Sequence, residues 1–175
     1  MGTSSAGRRK HKAAGHPQGL VIQLREPADD TCGATEGSNP SCLFMKILFL
    51  DDNPLRHKTI SNLLPNANIV HVYTAREALI EMNKTDYDLI MLDHDLDEDA
   101  ENRLIHPDGT YVTQYMIKNY KHLRETFVVI HSLNHSGAKR MQDTLVDGGF
   151  TDVYRIPFAW QTIKVKNDSI EFDKV

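Results

Sequence analysis

The sequence predicts an α/β protein built on a doubly wound, five-stranded parallel sheet. Two observations support this fold class. From Met45 onward, short apolar runs alternate with segments that have helical periodicity. The apolar runs are continuous, which is typical of strands that are covered on both faces. Because parallel strands need crossover connections, this alternation predicts helices on both faces of one sheet.

The strands are recognised as apolar runs of strand length that end in polar or turn residues. They are predicted at KILFL (46–50), IVHVY (69–73), DLIMLD (88–93), FVVIH (127–131) and DVYRI (152–156). Each run is followed by a segment long enough to hold a crossover helix, except the last.

Four amphipathic segments connect these strands. The first follows Pro54 and stops at Pro65, because proline is tolerated in the first turn of a helix but breaks its interior. The second begins with the capping box TARE, in which Thr74 is the cap and Glu77 reaches back to it. We expect Ser136 to cap the fourth helix. The apolar faces of the third and fourth helices are predicted at Val112, Met116, Ile117 and Tyr120, and at Ala138, Met141 and Leu145.

The final segment, TIKVKNDSIEFDKV, lacks a helical period. Ile163 and Val165 alternate with polar residues before the turn pair Asn167-Asp168, and Ile170 and Phe172 do so after it. This pattern predicts a C-terminal hairpin.

Residues 1–44 differ in composition from the rest of the chain, because they are rich in Gly, Ser, Ala, Pro and Thr. Only GLVIQL (19–24) has the apolar content of an ordered segment. Such a composition buries too little apolar surface to offset the entropy of folding. We therefore divide the chain into a disordered extension or artificial leader over 1–44 and one domain over 45–175.

Composition excludes several classes of protein. The net charge of −4 provides no overall basic field for duplex DNA. No apolar run approaches the roughly 20 residues that span a bilayer, and a signal-peptide core is lacking, so we expect a cytoplasmic protein without a membrane partner. Cys32 and Cys42 both precede the domain, which rules out a disulfide framework there.

Polar residues follow the predicted strands at the edge where ligands of parallel sheets bind. The stretch IMLDHDLDED (90–99) shows this most clearly, because an apolar strand ends in a run of acids. The carboxyl ends of the strands together carry Asp51-Asp52, Asp93-His94-Asp95, His131-Ser132 and Arg155. We therefore expect a site at this edge, which we call the rim.

Asp51, Asp52 and Asp93 are predicted to converge within a few ångströms of one another at the rim. Such a cluster needs a cation or a proton to neutralise it. Carboxylate oxygens suit Mg²⁺ or Mn²⁺, which leave room for a phosphate and for water. The alternative for Asp51 or Asp52 is to cap the following helix, and the alternative for Asp93 is a solvated strand end.

His131 and His94 are candidates for proton transfer, because histidine titrates near neutral pH. We place His131 first, since it ends a strand beside Ser132. His94 follows Asp93, and neighbouring strand residues point to opposite faces of a sheet. The alternative is that one of them is a packed or hydrogen-bonded histidine.

The segment HSLNHSGAKR (131–140) and the fifth strand supply candidate contacts to an anion. Backbone N–H groups at a helix start attract phosphate, and cations in a first helical turn are badly placed for helix stability. The alternative is a solvated helix face. The candidate phosphate contacts are Ser132, Asn134, His135, Lys139, Arg140 and Arg155.

The motifs LFLDDN and DLIMLD, with a hydroxyl after the fourth strand and Pro-Phe after the fifth, resemble the response-regulator receiver domain over about 45–158. The resemblance implies a flavodoxin-like three-layer sandwich, and the predicted C-terminal hairpin stands where a receiver has its last helix. It implies that Asp51 and Asp52 bind magnesium, that Asp93 is the phosphoacceptor and that Ser132 contacts phosphate.

Two differences from ordinary receivers point to a particular group of receiver-like domains. The lysine that receivers carry before the proline of strand five is Ile156 here, and histidines join the rim. The motifs LDHDL, IHSLNHSGAKRM and YRIPF are more similar to the cyclic-phosphate-processing receiver-like domains. That resemblance implies a metal-dependent phosphoesterase acting on a cyclic phosphate of a nucleotide or an RNA end. The alternatives are a phospho-accepting receiver that uses Asp93 and a non-catalytic cyclic-nucleotide-binding module.

Overall fold

A computed structural model describes residues 14–16, 19–23, 45–96, 108–156, 163–166 and 169–173. In chain order its strands are β1 (Ala14–His16), β2 (Gly19–Gln23), β3 (Lys46–Leu50), β4 (Asn68–Val72), β5 (Leu89–Leu92), β6 (Phe127–Ile130), β7 (Val153–Arg155), β8 (Ile163–Lys166) and β9 (Ser169–Asp173). The helices are α1 (Pro54–Leu63), α2 (Ala75–Lys84), α3 (Gly109–Asn119) and α4 (His135–Asp147), with a 3₁₀ turn at Lys121–Leu123. Within these residues, no helix has the length and apolar character of a membrane span.

Five strands form one parallel sheet in the order β4-β3-β5-β6-β7, which confirms the predicted fold class. The register pairs Leu50 with Leu92 and Leu92 with Ile130. Strands β3, β5 and β6 therefore end at the same level of the sheet. The residues that follow these three strands are brought to one rim, as the sequence predicts.

Alternate strand residues pack into two apolar clusters, one on each face of this sheet. Leu50, Leu92 and Ile130 belong to the cluster that α2, α3 and α4 cover. Phe49 and Met91 belong to the opposite cluster, which includes Ile60 of α1. This division follows from the period of two along a strand, which sends neighbouring residues to opposite faces.

Each helix begins at a side-chain cap that accepts a backbone hydrogen bond. The predicted capping box of α2 is present, with both Thr74 and Glu77 in their expected roles. Helix α1 is capped by Asn53, so neither Asp51 nor Asp52 takes that place. Helix α4 is capped by Asn134 rather than Ser136, because the Asn134 Oδ1 accepts from the Gly137 N–H at 2.9 Å.

A second, antiparallel sheet has the strand order β1-β2-β9-β8. The predicted C-terminal hairpin is confirmed, because β8 pairs with β9 in antiparallel register. Helix α1 contacts β8, and Ile170 of β9 is buried in the cluster of Phe49 and Ile60. The hairpin thus helps cover the α1 face of the parallel sheet.

Residues 14–16 and 19–23 form strands within the extension expected to be disordered over 1–44, and the second strand lies in GLVIQL, the segment with the apolar content of an ordered one. Backbone pairing explains the difference, since β2 hydrogen-bonds along the whole of β9. Composition within a segment does not reveal a partner strand located at the other end of the chain. The division at residue 45 remains a prediction.

Candidate functional site

The rim brings Asp51, Asp52 and Asp93 together, as predicted. The sheet ladder continues one residue beyond the strands, because the Asp51 N–H donates to Val72 O at 3.2 Å and the Asp93 N–H to Leu50 O at 3.0 Å. One ligand oxygen from each of the three carboxylates lies within 4.8 Å of the others. Asp51 and Asp93 are buried, and Asp52 is partly exposed. We refer to these three residues as the acid cluster.

Arg56 of α1 bridges two members of the acid cluster. Its Nη1 donates to the Asp51 Oδ2 at 3.1 Å and to the Asp93 Oδ2 at 2.8 Å. The sequence interpretation missed this residue. A signal was present, because a cation in the first turn of a helix opposes the helix dipole and so needs another reason to be there.

Burial raises the pKa of two carboxyls of the acid cluster, Asp51 and Asp93, despite Arg56. Burial raises the pKa of the Asp51 carboxyl to about 6, although the Asn53 amide and Arg56 act against it. Burial also raises the pKa of Asp93, against a hydrogen bond from the Ser132 hydroxyl. A single guanidinium therefore does not fully compensate the desolvation of these carboxylates.

Ser132 lies beside Asp93, where the receiver resemblance expects a phosphate-contacting hydroxyl. Its side chain hydrogen-bonds to the Asp93 carboxylate and lowers the pKa of that group. The Ser132 Oγ also accepts from the Asn134 N–H at 3.1 Å. Ser132 is buried, so its hydroxyl is held in one direction by these two partners.

His131 is buried on the α1 face of the sheet and does not lie on the surface of the rim. Its ring stacks on Phe49 with the centroids 4.9 Å apart and the planes 7° apart, and its Nδ1 is 3.7 Å from the Asp51 Oδ2. Burial lowers the pKa of His131 to about 3, and the charge of Arg56 acts in the same direction. The imidazole is therefore neutral at pH 7, which favours the packed-histidine alternative over a proton donor.

His94 lies on the other face of the sheet, against the start of α4. Its Nδ1 contacts the Asp95 Oδ1 at 2.7 Å, and its Nε2 is 3.7 Å from the Asp108 Oδ2. Among the described residues the Nε2 has no hydrogen-bond partner. A Cβ at Gly137 would overlap the His94 ring, so glycine is needed for this packing. Asp95 thus orients the imidazole, as carboxylates do for functional histidines.

A histidine pair supports the end of β3, and the sequence interpretation assigned it no function. The His57 Nε2 lies 2.6 Å from the Asp51 carbonyl and must donate to it, because a carbonyl only accepts. In the neutral pair, the His57 Nδ1 then accepts from the His71 Nδ1 at 2.7 Å. Burial lowers the pKa of both histidines. This pair holds the Asp51 backbone in place.

The remaining predicted phosphate contacts are scattered. Asn134 caps α4 and donates to the Asp95 Oδ1 at 3.1 Å. Lys139 is exposed and paired with Asp143 of its own helix at 2.7 Å, as expected of a solvated helix face. His135 and Arg140 are exposed, and Arg155 donates to the His135 carbonyl at 3.3 Å. Contact of these residues with phosphate stays a prediction.

Position 156 holds an isoleucine where an ordinary receiver has a lysine. Ile156 packs against the apolar cluster on the α1 face, where its N–H donates to the Ile130 carbonyl at 2.9 Å. Arg155 is exposed and does not replace the receiver lysine at this position. Arg56 forms ion pairs with two members of the acid cluster, Asp51 and Asp93.

The donor set of the acid cluster fits a hard divalent cation. All three candidate ligands are carboxylate oxygens, and they are close enough to share one ion. Mg²⁺ prefers this chemistry and binds through a few carboxylates together with water and phosphate. Receiver domains bind Mg²⁺ at an acidic cluster of this kind.

The fold and the acid cluster define the class of protein, which is a receiver-type α/β domain. The sequence profile of the family described as "cyclic-phosphate processing receiver domain" matches residues 46–147, more than half of the chain. The chain belongs to this family. No curated protein matched the sequence.

Solved receiver domains resemble this chain in fold. The CheY-like receiver domain from Methanospirillum hungatei is 16% identical with a TM-score of 0.50, covering 67% of this chain and 86% of that one. The signal receiver domain of a LuxO repressor protein from Vibrio parahaemolyticus is 21% identical with a TM-score of 0.49, covering 68% and 83%. The receiver domain of a Francisella response regulator is 21% identical with a TM-score of 0.49, covering 67% and 88%.

Proposed function

We propose that this protein is a metal-dependent phosphoesterase that hydrolyses a cyclic phosphate on a nucleotide or an RNA end. The observation that carries the proposal is the acid cluster, in which three carboxylates lie within 4.8 Å at the rim. Asp51, Asp52 and Asp93 would hold Mg²⁺ or Mn²⁺. The bound ion would polarise a phosphoryl oxygen.

The chain's own residues supply the binding of the phosphate. The Ser132 hydroxyl, which hydrogen-bonds to the Asp93 carboxylate, would contact a phosphoryl oxygen bound there. Arg56 has the planar fork that suits phosphate, and it already lies against the Asp93 carboxylate. Arg56 comes from α1 and Ser132 follows β6, so a phosphate at the rim would be held from two sides.

Ring opening needs a proton for the leaving alkoxide, because one ring P–O bond breaks as a water oxygen adds to phosphorus. We assign this proton transfer to His94, since Asp95 fixes the orientation of its ring. His131 is unsuitable because burial lowers the pKa of its imidazole to about 3. This reverses the order in which the sequence ranks the two histidines.

A second candidate function is phosphorylation of Asp93, as in signalling receivers. The hydrogen bond between Ser132 and Asp93 favours it, because that hydroxyl is the phosphate contact which the receiver resemblance implies. Treatment with a small phosphodonor, followed by intact mass measurement, separates the two functions. A stable adduct that disappears in Asp93→Asn supports the signalling function.

The experiment that tests hydrolysis is a chromatographic turnover panel. It contains 2′,3′-cyclic nucleotides, 3′,5′-cyclic nucleotides, cyclic dinucleotides and RNA with a terminal cyclic phosphate. Each is incubated with Mg²⁺, with Mn²⁺ and with chelator. We expect metal-dependent ring opening that Asp93→Asn abolishes and that Asp147→Asn, an exposed change at the far end of α4, leaves intact.

The absence of turnover throughout the panel contradicts the hydrolase proposal. Calorimetry then tests the third alternative, a binding module. Tight binding of a cyclic nucleotide that is recovered unchanged identifies such a module.

A further inference from the structure

Arg56 lies where a divalent cation of the acid cluster would compete with it. Its guanidinium shares the Oδ2 atoms of Asp51 and Asp93 at 3.1 and 2.8 Å. Both carboxylates are buried, and the Arg56 side chain is 23% exposed. The Oδ1 atoms of Asp51 and Asp93 already accept from the Asn53 and His94 N–H groups, so a metal ion at the acid cluster would use the same Oδ2 atoms as Arg56.

The position of Arg56 in α1 indicates that it serves the acid cluster rather than the helix. It stands two residues after Pro54, in the first turn, which contains no acidic residue to offset its charge. A cation there opposes the positive end of the helix dipole. The two buried carboxylates compensate for this placement, so the contact with them explains why the arginine is there.

A guanidinium and a divalent ion that share these oxygens repel each other. A divalent ion bound between Asp51 and Asp93 would lie within a few ångströms of the guanidinium, where the repulsion of like charges is strong. We propose that Arg56 is the resident cation of the acid cluster, that a divalent ion displaces it, and that a phosphate group is the anion to which it moves. The phosphate part of this inference rests on the proposed function.

The exchange of Arg56 for a divalent ion couples the binding of the ion to the binding of phosphate. A phosphate offers the displaced guanidinium a new partner, which lowers the free-energy cost of binding the ion. By reciprocity the ion then strengthens phosphate binding by the same factor. Partial exposure of the side chain allows this movement without disruption of the buried ladder at Asp51 and Asp93.

The test measures ion binding rather than turnover. Calorimetry with Mg²⁺ and electron paramagnetic resonance with Mn²⁺ give the ion affinity of the wild type, Arg56→Gln and Arg56→Lys. The matched control is Lys58→Gln, which removes the same charge from an exposed position of the same helix. Thermal unfolding confirms that each variant is folded.

We expect Arg56→Gln to bind the ion roughly 10- to 100-fold more tightly, since it removes two charge-assisted hydrogen bonds that the ion must break. Arg56→Lys should fall between it and the wild type, because an ammonium does not provide the same fork. Lys58→Gln should change the affinity by less than about threefold. Ion affinity that is unchanged or weaker in Arg56→Gln overturns the inference, and so does the absence of ion binding in every variant.

Inorganic phosphate tests the second half of the exchange. In the wild type, phosphate should increase the ion affinity by about tenfold, a typical coupling between two sites. In Arg56→Gln this increase should be mostly lost. An equal increase in both chains means that the arginine does not move to the anion.

Failure of the inference and failure of the proposed function are distinguishable. Ion competition by Arg56 without turnover of any cyclic phosphate contradicts only the hydrolase proposal. Turnover with an ion affinity that does not depend on Arg56 contradicts only the exchange.

Discussion

Two histidines at the same rim have opposite environments. His94 follows β5 and lies against the start of α4, between the carboxylates of Asp95 and Asp108. His131 follows β6 and stacks on Phe49, on the face that α1 covers. One is oriented by acids, and the other is packed among apolar groups.

The register of the sheet explains this difference. Leu92 pairs with Ile130, so the next residues, Asp93 and His131, are level and point to the same face. His94 is one residue further and points to the other face. A displacement of one residue therefore separates a histidine that contacts two carboxylates from one that is kept neutral by burial among apolar groups.

The largest expected effect is on turnover. His94→Asn should reduce kcat/KM for the cyclic phosphate that the panel identifies by about 10²- to 10⁴-fold, the usual contribution of a proton-transfer group. His131→Phe keeps the stacked ring and should cost much less. Steady-state kinetics with the two purified variants measures both. A greater loss in His131→Phe would reverse our assignment.

The next effect is on the pH dependence of stability. The pKa of His131 is lowered to about 3 in the folded chain, so only the unfolded chain takes up a proton as the pH falls below about 6.5. The stability that comes from the neutral imidazole is complete above that pH and is lost toward pH 3. Asp51, whose pKa is raised to about 6, acts in the opposite direction.

Asp51 is present in both the wild type and His131→Phe, so its contribution is common to the two pH profiles apart from its contact with His131 at 3.7 Å. Between pH 7 and pH 4 the wild type should lose about 2 to 3 kcal/mol more unfolding free energy than the variant. Urea unfolding at each pH gives the values. If the unfolding free energies of the two chains depend on pH in the same way, the burial of His131 does not control its protonation.

A smaller effect is expected where His94 packs on α4. A Cβ at Gly137 would overlap the His94 ring, so Gly137→Ala should destabilise the fold by about 1 to 3 kcal/mol despite the better helix propensity of alanine. Ser136→Ala, at the neighbouring exposed position, is the control and should change stability by less than about 1 kcal/mol. Thermal melts measure both, and a stabilised Gly137→Ala would exclude tight packing of His94 there.

The smallest effect is expected at the cap of α4. Asn134→Ala removes the acceptor for the Gly137 N–H and should cost about 1 kcal/mol, whereas Asn134→Asp retains an acceptor and should cost less. Chemical denaturation distinguishes them. Equal stability of the two variants would show that the cap does not support the helix against which His94 packs.

The sequence predicts much of the fold and part of the site. The alternation of apolar runs and amphipathic segments was sufficient for the five parallel strands and the four helices. Asp51, Asp52 and Asp93 were found because they end neighbouring strands. The cap at Asn134 was misplaced by two residues, since Asn and Ser are both good caps and both precede the helix.

Arg56 and the pairing of β2 with β9 were missed for another reason. The arginine contacts Asp93 from 37 residues away along the chain, and β2 pairs with β9 at the opposite end. Neither contact leaves a periodic pattern in the local sequence. The unfavourable position of Arg56 in the first turn of α1 was the one local sign of its partners.

By itself, the sequence determined the fold class and the kinds of side chain that meet at the rim. Strand and helix periodicity are local, and parallel strands bring their carboxyl ends to the same edge. Only the tertiary structure decided which cation pairs with Asp51 and Asp93 and which histidine is kept uncharged. Those properties depend on burial and on distances between groups far apart in the chain, and the energy of a charge changes steeply with both.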